Sequence, residues 1–193
     1  MTPDSLSLLV DGNVRKSSLD PTLFPGVPLS VLVHSGFARA HARSASSVLS
    51  EVKKLMNVTR TRSVTTVGHS LGGALAALDA LFLALNLPSG SEVRGVTYGT
   101  PRVGNAAFAE LLDFNVPDFF RINHRKDPIP IVPAQYLGFR HPSGEIHIDR
   151  KKNAVFCPGV LPLDCSWELV AYMHYSFQKV PIIPLTLNAR TRW

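Results

Sequence analysis

Six residues, Gly68-His69-Ser70-Leu71-Gly72-Gly73, limit the possible folds of this chain more than any others. Before them, Ser63-Val64-Thr65-Thr66-Val67 is β-branched and reads as a buried strand that stops at Gly68. After them, residues 71–86 are rich in Ala and Leu, the strongest helix formers, and Pro88-Ser89-Gly90 ends the run. A glycine–any–serine–any–glycine string is common by chance. Between a strand and a helix it describes a turn so sharp that the central serine is held in a strained conformation. Strand and helix backbones pass close together there, and Gly68 and Gly72 are expected to supply the room. The turn lifts the Ser70 hydroxyl above the sheet at a helix N-terminus, where backbone amides favour developing negative charge. His69 lies inside the turn and is too constrained to reach back to Ser70.

The rest of the chain continues the alternation. Val31-Leu32-Val33 reads as a strand, and Ala45, Val48, Leu49, Val52, Leu55 and Met56 give residues 37–56 the spacing of one amphipathic helix. Residues 93–98 read as a strand, 106–112 as a short helix, and 119–122 and 145–148 as further strands. Residues 1–29, punctuated by Pro3, Pro21, Pro25 and Pro28, read mostly as loop. Strand and helix in alternation imply an α/β fold with a largely parallel sheet. No linker divides residues 1–193, which are expected to form one domain.

A serine hydroxyl needs a base and an orienting acid before it attacks a carbonyl. In strand–turn–helix sites these follow in the order serine, acid, histidine. Asp127, in His124-Arg125-Lys126-Asp127-Pro128, lies just past a strand, on the edge where open α/β sheets place their sites. Asp113, Asp118 and Asp149 are poorer acids, in a Pro-marked loop or beside a basic run. Of the seven histidines, His34, His41 and His124 precede the acid, whereas His141, His147 and His174 follow it. His174 has the best order and distance, with His141 and His147 as the other possible bases.

Other chemistries find less support. No metal site is expected, because His141 and His147 have no Cys or carboxylate cluster around them. No cofactor is expected, as phosphate-binding glycine loops are absent. The net charge of +6 is scattered, without interleaved aromatics, so nucleic acid is not an expected partner. Asp79 interrupts the longest apolar stretch, so a buried helix fits it better than a transmembrane segment. Ser5-Leu6-Ser7-Leu8-Leu9-Val10 is too short for a signal-peptide core and lacks a basic start. Cys157 and Cys165 are either the ends of a small disulfide-closed loop or two unrelated thiols. Asn57-Val58-Thr59 is a glycosylation sequon, a weak sign of secretion.

Several motifs together resemble the fungal class 3 lipases: Val33-His34-Ser35-Gly36-Phe37, then Val67 to Ala74 around the serine, then Tyr98-Gly99-Thr100-Pro101-Arg102-Val103-Gly104-Asn105. The stretch from Asp127 through Pro133, and Gly138-Phe139-Arg140-His141-Pro142-Ser143-Gly144-Glu145, are similar to basidiomycete members. The resemblance spans roughly residues 20–165. It implies an α/β-hydrolase-like fold, hydrolysis of acylglycerol or related esters at a lipid–water interface, and a Ser70–Asp127–His174 triad. By the same resemblance Cys157 and Cys165 form the family's short disulfide, and the protein is secreted. Family members carry further N-terminal strands, missing here, that end in a Gly-Thr or Gly-Ser turn. Thr2 corresponds to that turn's oxyanion-hole residue, Leu71 gives the second amide, and residues 3–13 correspond to the lid. His174-Tyr175-Ser176-Phe177 follows the family's histidine pattern loosely, and residues 180–193 do not follow it. The sequence therefore implies a serine ester hydrolase, the alternatives being an inactive truncated remnant or a feruloyl or other carboxylic esterase.

Overall fold

The computed structural model of the protein describes residues 14–157. Thr2, the expected lid at residues 3–13, Cys165 and His174 lie outside the described residues. The elements run β1 (Lys16–Ser18), β2 (Leu32–His34), α1 (Ser35–Ala42), α2 (Ala45–Thr59), β3 (Ser63–His69), α3 (Leu71–Asn86), β4 (Glu92–Tyr98), α4 (Ala106–Asn115), β5 (Phe119–His124), β6 (Glu145–Ile148) and β7 (Ala154–Cys157). Two short 3-10 turns, Ile129–Ile131 and Gln135–Leu137, lie between β5 and β6.

β3, β4, β5 and β6 form a parallel sheet in that order, with β7 antiparallel on β6; β1 and β2 form a separate antiparallel pair. This is the expected α/β architecture. The core lies on one side of the sheet, where Val93 of β4 and Phe119 of β5 join Leu78, Leu81, Phe82 and Leu83 of α3 and Phe108 and Leu112 of α4. Each such buried side chain contributes about 1.5–3 kcal/mol, so α3 is the central pillar. α1 packs beside α3, and His41 of α1 stands 3.1 Å from the Asp79 carboxylate and against the rings of Phe24 and Phe82. Asp79, which argued against a membrane span, thus anchors a neighbouring helix.

Three expectations need correction. The single helix at 37–56 is two, because the hydrogen-bond ladder breaks at Arg43-Ser44, where Ser44 N–H donates back to His41 O at 3.0 Å. Arg43 and Ser44 keep right-handed helical dihedrals, so the apolar period runs through the break with no Gly or Pro to mark it. Secondly, β3 is not buried. It is an edge strand among the described residues, with alternate side chains exposed and Val67 64% accessible. Its β-branched composition reports strand geometry, and β-branched residues suit an open edge as well as a buried one. Thirdly, β1 and β7 were not anticipated; Lys16-Ser17-Ser18 carries no apolar alternation to reveal it.

Candidate active site

β3 ends at His69 and α3 begins at Leu71, leaving one residue to reverse the chain. Ser70 does so with φ 55° and ψ −125°, a conformation that L-residues rarely adopt. Its N–H donates to Tyr98 O at 2.9 Å, tying the turn to the end of β4, and its carbonyl accepts from Gly73 N and Ala74 N. The side chain is 3% exposed, and its Oγ has no hydrogen-bond partner among the described residues. A buried hydroxyl without a partner is a group held ready for one. Leu71 is the first residue of α3, where helical N–H groups have no intrahelical acceptor.

The two elbow glycines do different jobs. A Cβ on Gly68 would lie 2.1 Å from Gly72 O and 2.4 Å from Gly72 C, so strand and helix touch backbone to backbone. A Cβ on Gly72 would meet nothing within 4 Å. The room expected from Gly72 is therefore not used. Gly73 takes that place, facing the buried Thr100 side chain.

Asp127 follows β5, two strands over from β3, so both residues stand at C-terminal strand ends flanking the end of β4. Arg125 turns the chain with φ 51°, and Asp127 N–H donates to His124 O. The carboxylate is divided in use. Oδ1 accepts from Ile129 N–H at 3.0 Å, while Oδ2 lies 2.5 Å from where a Cβ on Gly99 would be. Gly99, with φ 52°, directly follows β4 and so adjoins the strand end to which Ser70 is bonded. His69 is exposed, and its Nε2 lies 3.7 Å from the same Gly99 point.

The competing residues are occupied. Asp113 takes two bonds from Ser143 N–H, at 2.9 and 3.1 Å, and burial raises its carboxyl above the ordinary range against those bonds. Asp118 pairs with Arg94 at 3.2 Å, and Asp149 accepts from Asn153. His34 caps α1 through Gly36 N–H; burial and, secondarily, Arg39 lower its affinity for a proton. His141 Nε2 is 2.8 Å from Pro130 O, and burial, then Arg121 and Arg102, push its pKa well below the ordinary value, so it is a neutral N–H donor. His147 is buried beside Glu145, which pairs with Arg121 at 3.3 Å. No free cysteine occurs among the described residues. Sequence reading assigned no role to Gly99 or Arg102, although both lie in Tyr98-Gly99-Thr100-Pro101-Arg102-Val103-Gly104-Asn105; their partners are about thirty residues away in the chain.

Residues 3–137 match the family model described as lipase (class 3). The secreted mono- and diacylglycerol lipase LIP4 of Malassezia restricta is 36% identical over 149 residues, 77% of this chain and 49% of the relative. LIP2 of the same species is 32% identical over 163 residues, 82% of this chain and 52% of the relative. The chain thus spans about half the length of these curated relatives. Among solved structures, lipase II from Rhizopus niveus superposes with TM-score 0.73 at 30% identity, covering 86% of this chain and 62% of that one. A triacylglycerol lipase whose catalytic centre is described as a serine protease triad gives TM-score 0.72 at 29% identity, with the same coverages. A family model matching well over half of the chain, and two relatives above 30% identity, make the protein a member of the class 3 lipase family.

Proposed function

We propose that this chain hydrolyses carboxylic esters of the acylglycerol type through an acyl-enzyme on Ser70. The observation that carries the reading is the strained Ser70 elbow at the head of α3, with a free oxygen of Asp127 turned toward the adjoining strand end. Ser70 Oγ bonds to the ester carbonyl carbon as its proton passes to His174; the C–O bond then breaks and the alcohol leaves with that proton. Water repeats the sequence in reverse and frees the acid. Asp127 orients His174 and favours its cationic form. The Leu71 amide, with that of Thr2, receives the oxyanion, and each such donor is worth about 10²–10³ in rate. Residues 3–13 gate the acyl site. No cofactor takes part. Cys157 pairs with Cys165, the enzyme acts at a lipid–water interface, and secretion follows the names of the relatives.

Hydrolysis of a short-chain p-nitrophenyl ester by the parent, Ser70→Ala and His174→Ala tests the reading. Loss in both variants supports it, and acylglycerols against feruloyl esters then separate lipase from feruloyl esterase. Loss in Ser70→Ala alone displaces His174 as the base. A folded parent no faster than Ser70→Ala sinks the enzyme reading and leaves a lipase-derived fold without chemistry.

A further inference from the structure

Four consecutive carbonyls follow the candidate acid, and all four are held. Pro130 O faces His141 Nε2 at 2.8 Å. Arg102 takes the other three: Nη1 donates to Ile131 O and to Pro133 O, the latter at 3.0 Å, and its backbone N–H donates to Val132 O at 2.8 Å. Arg102 is 2% exposed. A guanidinium is costly to bury, and a planar fork with fixed donors can hold several carbonyls in one arrangement. The gripped segment begins three residues after Asp127, and the residue just before it, Ile129, supplies the N–H that fixes Asp127 Oδ1. On the other side Gly99, three residues before Arg102, leaves open the space that Oδ2 occupies. One short loop after β4 therefore borders the acid at Gly99 and holds the segment that follows the acid through Arg102.

We propose that Arg102 is a positioning residue for Asp127: it clamps the carbonyls of residues 131–133 and so sets the carboxylate against Gly99 at the end of β4. The inference rests on the reading of Asp127 as the orienting acid of an ester hydrolase. His141 adds the fourth hold, and its neutral ring suits that donor role. An acid displaced by about 1 Å costs about 10²-fold in rate. It also stabilises the cationic base less, so the base gives up its proton at lower pH.

The test is a double-mutant cycle on kcat and KM for a p-nitrophenyl ester across pH. Rates are taken per mole of folded protein, counted by stoichiometric labelling of Ser70 with a fluorophosphonate. Arg102→Met is expected to lower kcat about 10–100-fold with KM nearly unchanged, and to move the rising limb of the pH profile downward. In an Asp127→Asn background the same change should cost little more, because its route of action is already gone. Arg102→Lys, which keeps the charge and one donor nitrogen, should recover part of the loss, and carries the test should the Met variant fail to fold. Full additivity with Asp127→Asn, or an unmoved pH limb with a loss that only follows the folded fraction, would overturn the proposal. A parent chain no faster than Ser70→Ala removes the hydrolase reading and this inference with it. An active parent with additive variants removes this inference alone.

Discussion

Replacing Gly68 by Ala places a methyl group 2.1 Å from Gly72 O, 2.4 Å from Gly72 C and 2.7 Å from Gly73 N. Non-bonded atoms of this kind rest at about 3.5–4.0 Å, so β3 and α3 must separate by more than about 1 Å. All three obstacles are backbone, and no side-chain rotation relieves them. Overpacking in a well-filled interior costs about 1–3 kcal/mol, and rigid surroundings put this site at or above the upper end. The shift also moves Ser70, and about 1 Å of misplacement is worth about 10²-fold in rate. Gly72→Ala, two residues into the same helix, meets nothing within 4 Å. It should gain up to about 1 kcal/mol from the better helix propensity of Ala. Urea unfolding followed by circular dichroism, with ester kinetics on the folded fraction, compares the two. The expected order is Gly72→Ala at or above the parent and Gly68→Ala far below it in both measurements. The reverse order, or Gly68→Ala matching the parent, would refute the account of the elbow.

Acid should weaken the fold early. The native state holds His141 and His34 below the ordinary value of 6.5, so below that pH the unfolded chain binds protons the native state refuses, and stability falls as pH drops through this window. Urea midpoints at pH 7.5, 6.0 and 5.0 check the slope, which should flatten in His141→Gln. Asp113 titrates in the opposite sense: its raised carboxyl makes the ionised native form costly, a cost absent below 3.8 and complete above the folded pKa. Asp113→Asn, which keeps an oxygen for Ser143 N–H, should match or exceed the parent in a thermal melt at neutral pH and lose that advantage on acidification. Leu81→Ala, in the fully buried face of α3, should cost about 2–5 kcal/mol in chemical denaturation.

The parts of this protein legible in its sequence are those whose causes are local. Leu71–Asn86 was readable to the residue because its composition and its Pro-Ser-Gly stop lie within one window, and Glu145–Ile148 likewise. Ser70 was legible because strand, turn and helix are contiguous. The break at Arg43-Ser44 was not, since the backbone stays in the right-handed region while its hydrogen bonds change, and no Gly or Pro marks the place. The edge position of β3 among the described residues depends on which strands pair, and the separate tasks of Gly68, Gly72 and Gly73 depend on what faces each in space. Arg102 stayed invisible for the same reason, as its carbonyl partners sit 29 and 31 residues away.

The left-handed φ at Ser70 has a consequence for how such a chain changes over generations. A non-glycine residue in that region carries about 1–3 kcal/mol of strain, which Ser70→Gly would relieve. The substitution that ends the chemistry is thus also one that makes the turn easier to fold. In a lineage with no use for the hydroxyl, drift toward glycine at this position would meet no resistance from stability and some encouragement. A serine at this position is therefore held against the preference of the turn it occupies.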